Sequence, residues 1–170
     1  MGHGKSSKDA HEIDWERLAC ELERIPSLPE KEKNTRGETA LTEMILADAE
    51  RRGAKEIRLH HPLGRAACLQ PKVDLKDQYV TTDHWKVYFR LAGRSLPVMA
   101  IPSSLFPGIT ERLKELADLE DEDESGSISL RMKMGEIEWD VDYRLQHRRS
   151  VRGESLVLTR AHDESRKKAG

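Results

Sequence analysis

The 170-residue chain is rich in charged residues of both signs. It has 29 Lys and Arg residues and 31 Asp and Glu residues, which gives a formal net charge of -2. Hydrophobic residues make up 36% and charged residues 35%, a composition typical of one folded domain and without an overall attraction to nucleic acid or anionic membranes. Cys20 and Cys68 form no metal motif, and no signal peptide or run of about 18 apolar residues is found. We therefore expect a cytoplasmic protein that neither binds nucleic acid nor inserts into a membrane. The net charge does not exclude an attraction by a local basic patch.

The N-terminal part is predicted to contain one helix. Residues 1–10 are rich in Gly, Ser, Lys and His and are predicted to be a disordered leader. A helix is predicted over about residues 12–25, because apolar residues recur there at helical spacing. These residues are Trp15, Leu18, Ala19, Leu22 and Ile25. The polar residues 26–38, with Pro26 and Pro29, are predicted to be a linker. The helix either docks on a partner through Trp15, Leu18 and Leu22 or packs on its own domain.

A single domain is predicted over residues 39–161. Helices are expected over about residues 39–52 and 107–119, and strands over about residues 56–60, 85–91, 96–101 and 154–160. Residues 66–69 form a further candidate strand, residues 71–83 a loop, and the acidic run 118–126 a solvated loop. Residues 162–170 are predicted to be a disordered tail.

Residues 128–145 carry the strongest local signal, a β-hairpin with Gly135 and Glu136 in a two-residue turn. This turn places Met132 opposite Trp139 on one face and Arg131 opposite Asp140 on the other. Both faces are then complementary, as cross-strand pairing requires. Together with the other elements, the hairpin predicts an α+β fold with an antiparallel sheet and helices on one face.

Catalytic and metal-binding patterns are not recognised in the sequence. Gly4-Lys5-Ser6 has the last letters of a P-loop, but no strand precedes it, and the adjacent His60 and His61 would point to opposite faces of a strand. We therefore expect no catalytic residue, no metal and no cofactor. The basic cluster of His147, Arg148, Arg149 and Arg152 is predicted to be an exposed loop or, alternatively, a contact for an anion or an acidic partner.

Several segments resemble the N-terminal domain of the type II secretion and type IV pilus assembly ATPases, in the same order. Residues 53–59 (GAKEIRL) resemble the family's G-A-S-D-I-H-I, and residues 86–93 (KVYFRLAG) resemble R-V-R-Y-R-I-D-G. Residues 105–119 resemble its L-x-x-x-L-x-x-R-L-K helix, and residues 125–131 (SGSISLR) resemble D-G-R-I-S-L-R. Residues 142–144 and 153–158 resemble D-V-R followed by H-G-E-x-V-V-L-R at the same separation.

This resemblance implies a PAS-like antiparallel sheet, without the motor domain and its P-loop. In the family, arginines on the polar strand face help to hold nucleotide phosphates, and the matching residues here are Arg144 and Arg90. The family's second arginine falls at Ser127, opposite Arg144 in the predicted hairpin. The alternative for both arginines is a solvated sheet face on which carboxylates pair with them.

The resemblance further implies a non-catalytic interaction or regulatory module that docks on an assembly ATPase or on another component of the same machine. The alternative is a self-associating, homodimeric PAS-like domain that binds a small ligand. The sheet face that carries Trp85, Phe89, Trp139 and Tyr143 suggests this alternative, although plain core packing explains the same residues.

Overall fold

A computed structural model describes residues 10–61, 84–119, 124–150 and 153–161, which form an α+β fold. Its helices are α1 (Trp15–Arg24), α2 (Glu30–Arg52) and α3 (Phe106–Leu116). Its strands are β1 (His11–Asp14), β2 (Glu56–His61), β3 (His84–Leu91), β4 (Arg94–Pro102), β5 (Ser125–Met134), β6 (Ile137–Ser150) and β7 (Gly153–Arg160). No helix in this part of the chain is long and apolar enough to cross a membrane.

The described strands form one seven-stranded sheet in the order β1-β5-β6-β7-β2-β3-β4. Neighbouring strands are antiparallel except β1 and β5, which pair in parallel, so the sheet is mixed rather than wholly antiparallel as predicted. The predicted helix over residues 12–25 therefore starts too early. Ile13 is fully buried and pairs with Met132 in the sheet, and the side chain of Asp14 then accepts backbone N–H groups at the start of α1.

All three helices pack on the same face of the sheet. The inward residues of the central strands are buried there, including Ile57, Leu59, Val87 and Leu158. Trp85 of β3 stacks on Phe106 of α3, and apolar residues of α2 join the same core. The alternating pattern of the strands therefore has one apolar face under the helices and one polar face, as half-buried strands require.

Helix α2 begins at Glu30, so the prediction of a linker over residues 26–38 is wrong, except for the 3₁₀ turn at Ile25–Ser27. The boundary predicted between residues 38 and 39 falls inside this helix. Pro29 precedes the first turn, where a missing backbone N–H is harmless, and Ala40 is the first buried residue among the described side chains of α2. The first turns are solvated and have no apolar stripe, which is why periodicity failed to find them.

The β5–β6 hairpin confirms the predicted register. Met132 pairs with Trp139, Arg131 with Asp140 and Ser127 with Arg144, all as predicted. Gly135 has a φ of 62° in the β5–β6 turn, a conformation that glycine adopts without the steric cost of a Cβ atom. The β3–β4 turn has left-handed residues at both Ala92 and Gly93.

Strand β6 continues to Ser150, so the loop predicted around residues 147–149 is wrong. These residues pair with β7, where Arg148 lies opposite Ser155 and Arg149 opposite Glu154. The predicted leader (apart from Ala10), tail, 66–69 strand and 71–83 loop lie outside the described residues, as do Cys68, Arg152 and residues 120–123 of the acidic run.

Candidate functional site

The face of the sheet opposite the helices is crossed by one row of residues from β5 to β4. Cross-strand pairing defines this row as Ser127, Arg144, Thr159, Glu56, Arg90 and Ser95. The register thus places Arg144 and Arg90, the two residues expected to contact phosphate, in the same row. Three strand spacings separate them, a backbone distance of about 14 Å.

Arg144 and Arg90 are both exposed. Among the described residues, neither guanidinium forms an ion pair or a side-chain hydrogen bond. The expectation of a solvated sheet face therefore holds, whereas the expected pairing with carboxylates is absent in the part of the chain that the structure describes. Glu56, which stands between them in the row, instead contacts Arg58 at 3.3 Å.

Three further cations extend this surface over the next two rows. Arg58 lies between Val157 and Tyr88, and Arg148 and Lys86 lie one row further along the strands. We call the five exposed cations the outer basic surface, namely Arg58, Lys86, Arg90, Arg144 and Arg148. At the opposite end of the same face the charges are mixed, and Arg131 pairs with Asp140 at 3.1 Å.

Helix α1 packs on its own domain, the second of the two alternatives predicted for it. Leu18 is 6% exposed and belongs to the core, and Leu22 packs against that core. Trp15 makes an edge-to-face contact with Trp139 of β6 at a centroid distance of 6.0 Å. The three side chains predicted to bind a partner are therefore used to attach α1 to the sheet.

Arg148 and Arg149 point to opposite faces, because they are neighbours in a strand. Arg148 belongs to the outer basic surface and donates a hydrogen bond to Gln146. Arg149 lies on the helix side, where its Nε is 3.7 Å from the carboxylate of Glu154. Glu154 also contacts the ring of His147, and both of these side chains are buried. The predicted basic cluster is thus divided between the two faces.

A buried carboxylate that sequence reasoning missed lies between α2 and the sheet. Glu50 accepts hydrogen bonds from Trp139 Nε1 and Tyr143 Oη, both at 3.0 Å, and from Arg160 Nη2 at 2.8 Å. Only 6% of its side chain is exposed. Burial and the nearby Glu50 carboxylate raise the pKa of Tyr143 above its ordinary value near 10.

A second buried carboxylate lies on the same face of α2, two turns earlier. Glu43 contacts the ring of His11 of β1 at 2.7 Å, and its side chain is 10% exposed. Glu43 and Glu50 are seven residues apart, a spacing that places both on one side of a helix. In the sequence, these buried contacts could have been predicted from the two acids, which occupy core-facing positions of an otherwise apolar helix face.

Two spaces lie between the elements, one in the apolar core and one between α1 and α2. The space lined by Ile45, Leu46, Leu59, Ile109 and Leu158 has essentially no volume accessible to a water molecule (≈ 0 Å³), so the apolar core there offers no room for a ligand. A polar cleft of ≈ 340 Å³ lies between α1 and α2, where Glu21 and Arg36 form an ion pair at 2.9 Å. Among the described residues, no group of three or more His, Cys, Asp or Glu side chains is placed to hold a metal ion.

No protein-family model matches the chain, and no curated protein matches it. The outer basic surface and the family-like segments are therefore the observations from which a function is proposed.

Proposed function

We propose that this chain is a non-catalytic interaction module of a type II secretion or type IV pilus assembly machine. It acts in the cytoplasm by docking on the assembly ATPase or on another component of that machine. The resemblance of the segments within residues 53–158 to the N-terminal domain of these ATPases suggests the machine. The outer basic surface carries the proposal of docking, because its exposed arginines lie on a sheet face that no described helix covers.

The element order supports the same proposal. Between residues 39 and 161, the described elements follow the order of helix, strands, helix and strands predicted from the sequence, and the segments that carry the resemblance lie in these elements and at their ends. The PAS-like identity of the sheet belongs to this proposal. Parallel strand β1 lies at one edge, beside β5, and leaves the order of the other six strands uninterrupted.

A direct binding assay tests the proposal. The whole chain is immobilised, and the purified assembly ATPases of the organism that makes it are passed over it, with an unrelated hexameric ATPase as the control. We expect saturable binding of a secretion or pilus assembly ATPase and none of the control. If none of the assembly ATPases binds in the presence or absence of nucleotide, the proposed docking is wrong.

A contact with nucleotide phosphate through Arg144 and Arg90 is a subordinate part of the proposal. Fixed cationic donors favour a triphosphate, but the two guanidinium groups stand three strands apart, and the carboxylate of Glu56 lies between them. We therefore expect weak ATP binding that Arg144→Ala reduces. Equal ATP binding by wild type and Arg144→Ala, measured by calorimetry, would remove this role.

A further inference from the structure

We infer that the outer basic surface is the docking site for an acidic patch on a protein partner. This inference rests on the proposed function and names the chemistry of the partner. Within its three rows the five cations stand against one carboxylate, Glu56, and the exposed Asp142 borders Arg144 in the next row, which leaves at least three positive charges in excess. The whole chain has a net charge of -2, so this excess is a local property of one face.

The type of cation favours carboxylates as the groups that bind. Four of the five cations are arginines, whose planar guanidinium groups donate paired hydrogen bonds to carboxylates. Arg144 and Arg90 make no side-chain hydrogen bond to another described residue, so no described group occupies their donors. Binding at these two residues therefore breaks no ion pair within the described part of the chain.

The middle row of the surface supplies apolar contact between the cations. Tyr88, beside Arg58, is half-buried and supplies this contact, whereas Val157 on the other side of Arg58 is only 5% exposed. Tyrosine and arginine are enriched at the centres of protein interfaces, where lysine is depleted. The composition of the surface is thus that of a protein contact rather than of a solvated face alone.

The same face argues against a nucleic acid as the partner. Tyr88 is the one aromatic residue at the outward positions of the described strands, whereas single-stranded nucleic acids are bound on several stacked aromatic side chains. Asp142 lies one row beyond Arg144 and Asp140 one row further, and both are exposed there, where they would repel a continuous polyanion. A folded partner whose acidic patch covers only the cations does not contact these aspartates. Their negative charge also disfavours orientations in which the patch would lie over them.

The size of the surface sets the kind of effect to expect. Its backbone positions extend about 14 Å across the strands and about 14 Å along them, less than the roughly 800 Å² per partner of a standard interface. Unpaired exposed charges mainly accelerate association, so we expect them to act on the association rate and its salt dependence. The remainder of the interface then decides the dissociation rate.

The experiment compares two double charge reversals with the wild-type chain, using the assembly ATPase of the preceding assay. Arg90→Glu with Arg144→Glu changes the outer basic surface, and the matched control, Arg17→Glu with Lys31→Glu, changes two exposed cations of α1 and α2. We expect the first variant to lower the association rate constant about tenfold or more, and the control to change it less than twofold. Far-ultraviolet circular dichroism confirms that both variants are folded.

Each outcome separates the two proposals. If the ATPase binds the wild type and the first variant equally, the docking site is wrong while the proposed function stands. If the ATPase does not bind the wild type, the proposed function fails, and this inference fails with it. If the wild type instead binds a labelled oligothymidylate and the first variant does not, the surface binds nucleic acid and the acidic partner is refuted.

Discussion

Replacement of the buried Glu50 should destabilise the fold more than any exposed charge on the same helix. Glu50→Ala leaves the N–H of Trp139 and the hydroxyl of Tyr143 without their acceptor, and it leaves Arg160 without its counter-ion. An unsatisfied buried donor costs about 1–3 kcal/mol, and loss of one partner of a buried ion pair costs about 3–5 kcal/mol. These losses overlap because they share one carboxylate.

Solvent access reduces the expected cost. The side chain of Arg160 is 36% exposed, so water can hydrate its charge after the substitution. We therefore expect the free energy of unfolding to fall by about 3–4 kcal/mol. In a chain of this length each kcal/mol lowers Tm by about 2–4 °C, so a decrease in Tm of roughly 6–16 °C follows.

Urea unfolding followed by tryptophan fluorescence measures this change, since Trp139 donates to Glu50 and Trp15 contacts Trp139. Asp48→Ala is the matched control. Asp48 lies in the same helix and pairs with Arg51 and Arg52, whose side chains are 60% and 45% exposed. Exposed pairs of this kind contribute about 0–1 kcal/mol. If Glu50→Ala is no more destabilising than Asp48→Ala, the role given to the buried carboxylate is refuted.

Three other substitutions test separate features. The raised pKa of Tyr143 means that the unfolded chain loses this proton first, so stability falls as pH rises above about 10. Tyr143→Phe should reduce that fall by about 1 kcal/mol between pH 10 and pH 11 in urea titrations, and an unchanged alkaline slope would contradict the raised pKa of the buried hydroxyl. Gly37→Ala should raise the free energy of unfolding by about 0.5–1 kcal/mol, because Gly37 lies inside α2 with open space around it, whereas a linker would show no gain. Gly126→Ala should lower Tm by a few degrees through a loss of about 1 kcal/mol, because the added Cβ would lie 3.1 Å from the backbone oxygen of Ala117, whereas the Leu119 side chain, at 2.7 Å, can move away; a Tm equal to wild type would show that the backbone contact is not tight.

Local pairing was predictable from the sequence, whereas pairing between distant segments was not. The β5–β6 register follows from a two-residue turn and from alternating side chains, so Arg131 opposite Asp140 could be assigned before the fold was known. The pairing of β1 with β5 joins His11 to Leu130, and no turn between them fixes a register. A four-residue strand followed directly by a helix also lacks the length over which the two periods can be distinguished.

The candidate site shows the same limit. Arg144 and Arg90 were identified from local resemblance, but their common row depends on the pairing of β2 with both β7 and β3. Sequence reasoning also expected nearby carboxylates to neutralise them, whereas Glu56 contacts Arg58 instead. Glu50 was not recognised because a single acid near the end of a helix is usually solvated, and its partners lie on β6 and β7.

The strand order has a consequence for the way in which the chain acquires its structure. Strand β2 forms a meander with β3 and β4, but its other neighbour is β7, whose residues come about a hundred positions later. During synthesis, the hydrogen-bonding edge of β2 stays without its partner until the roughly one hundred residues up to β7 have been made. Sheets that depend on such distant pairings fold slowly, because the chain loses the entropy of closing a long loop before the stabilising contacts form. The joining of β7 to β2 is therefore the step that unites two separately formed meanders into one sheet.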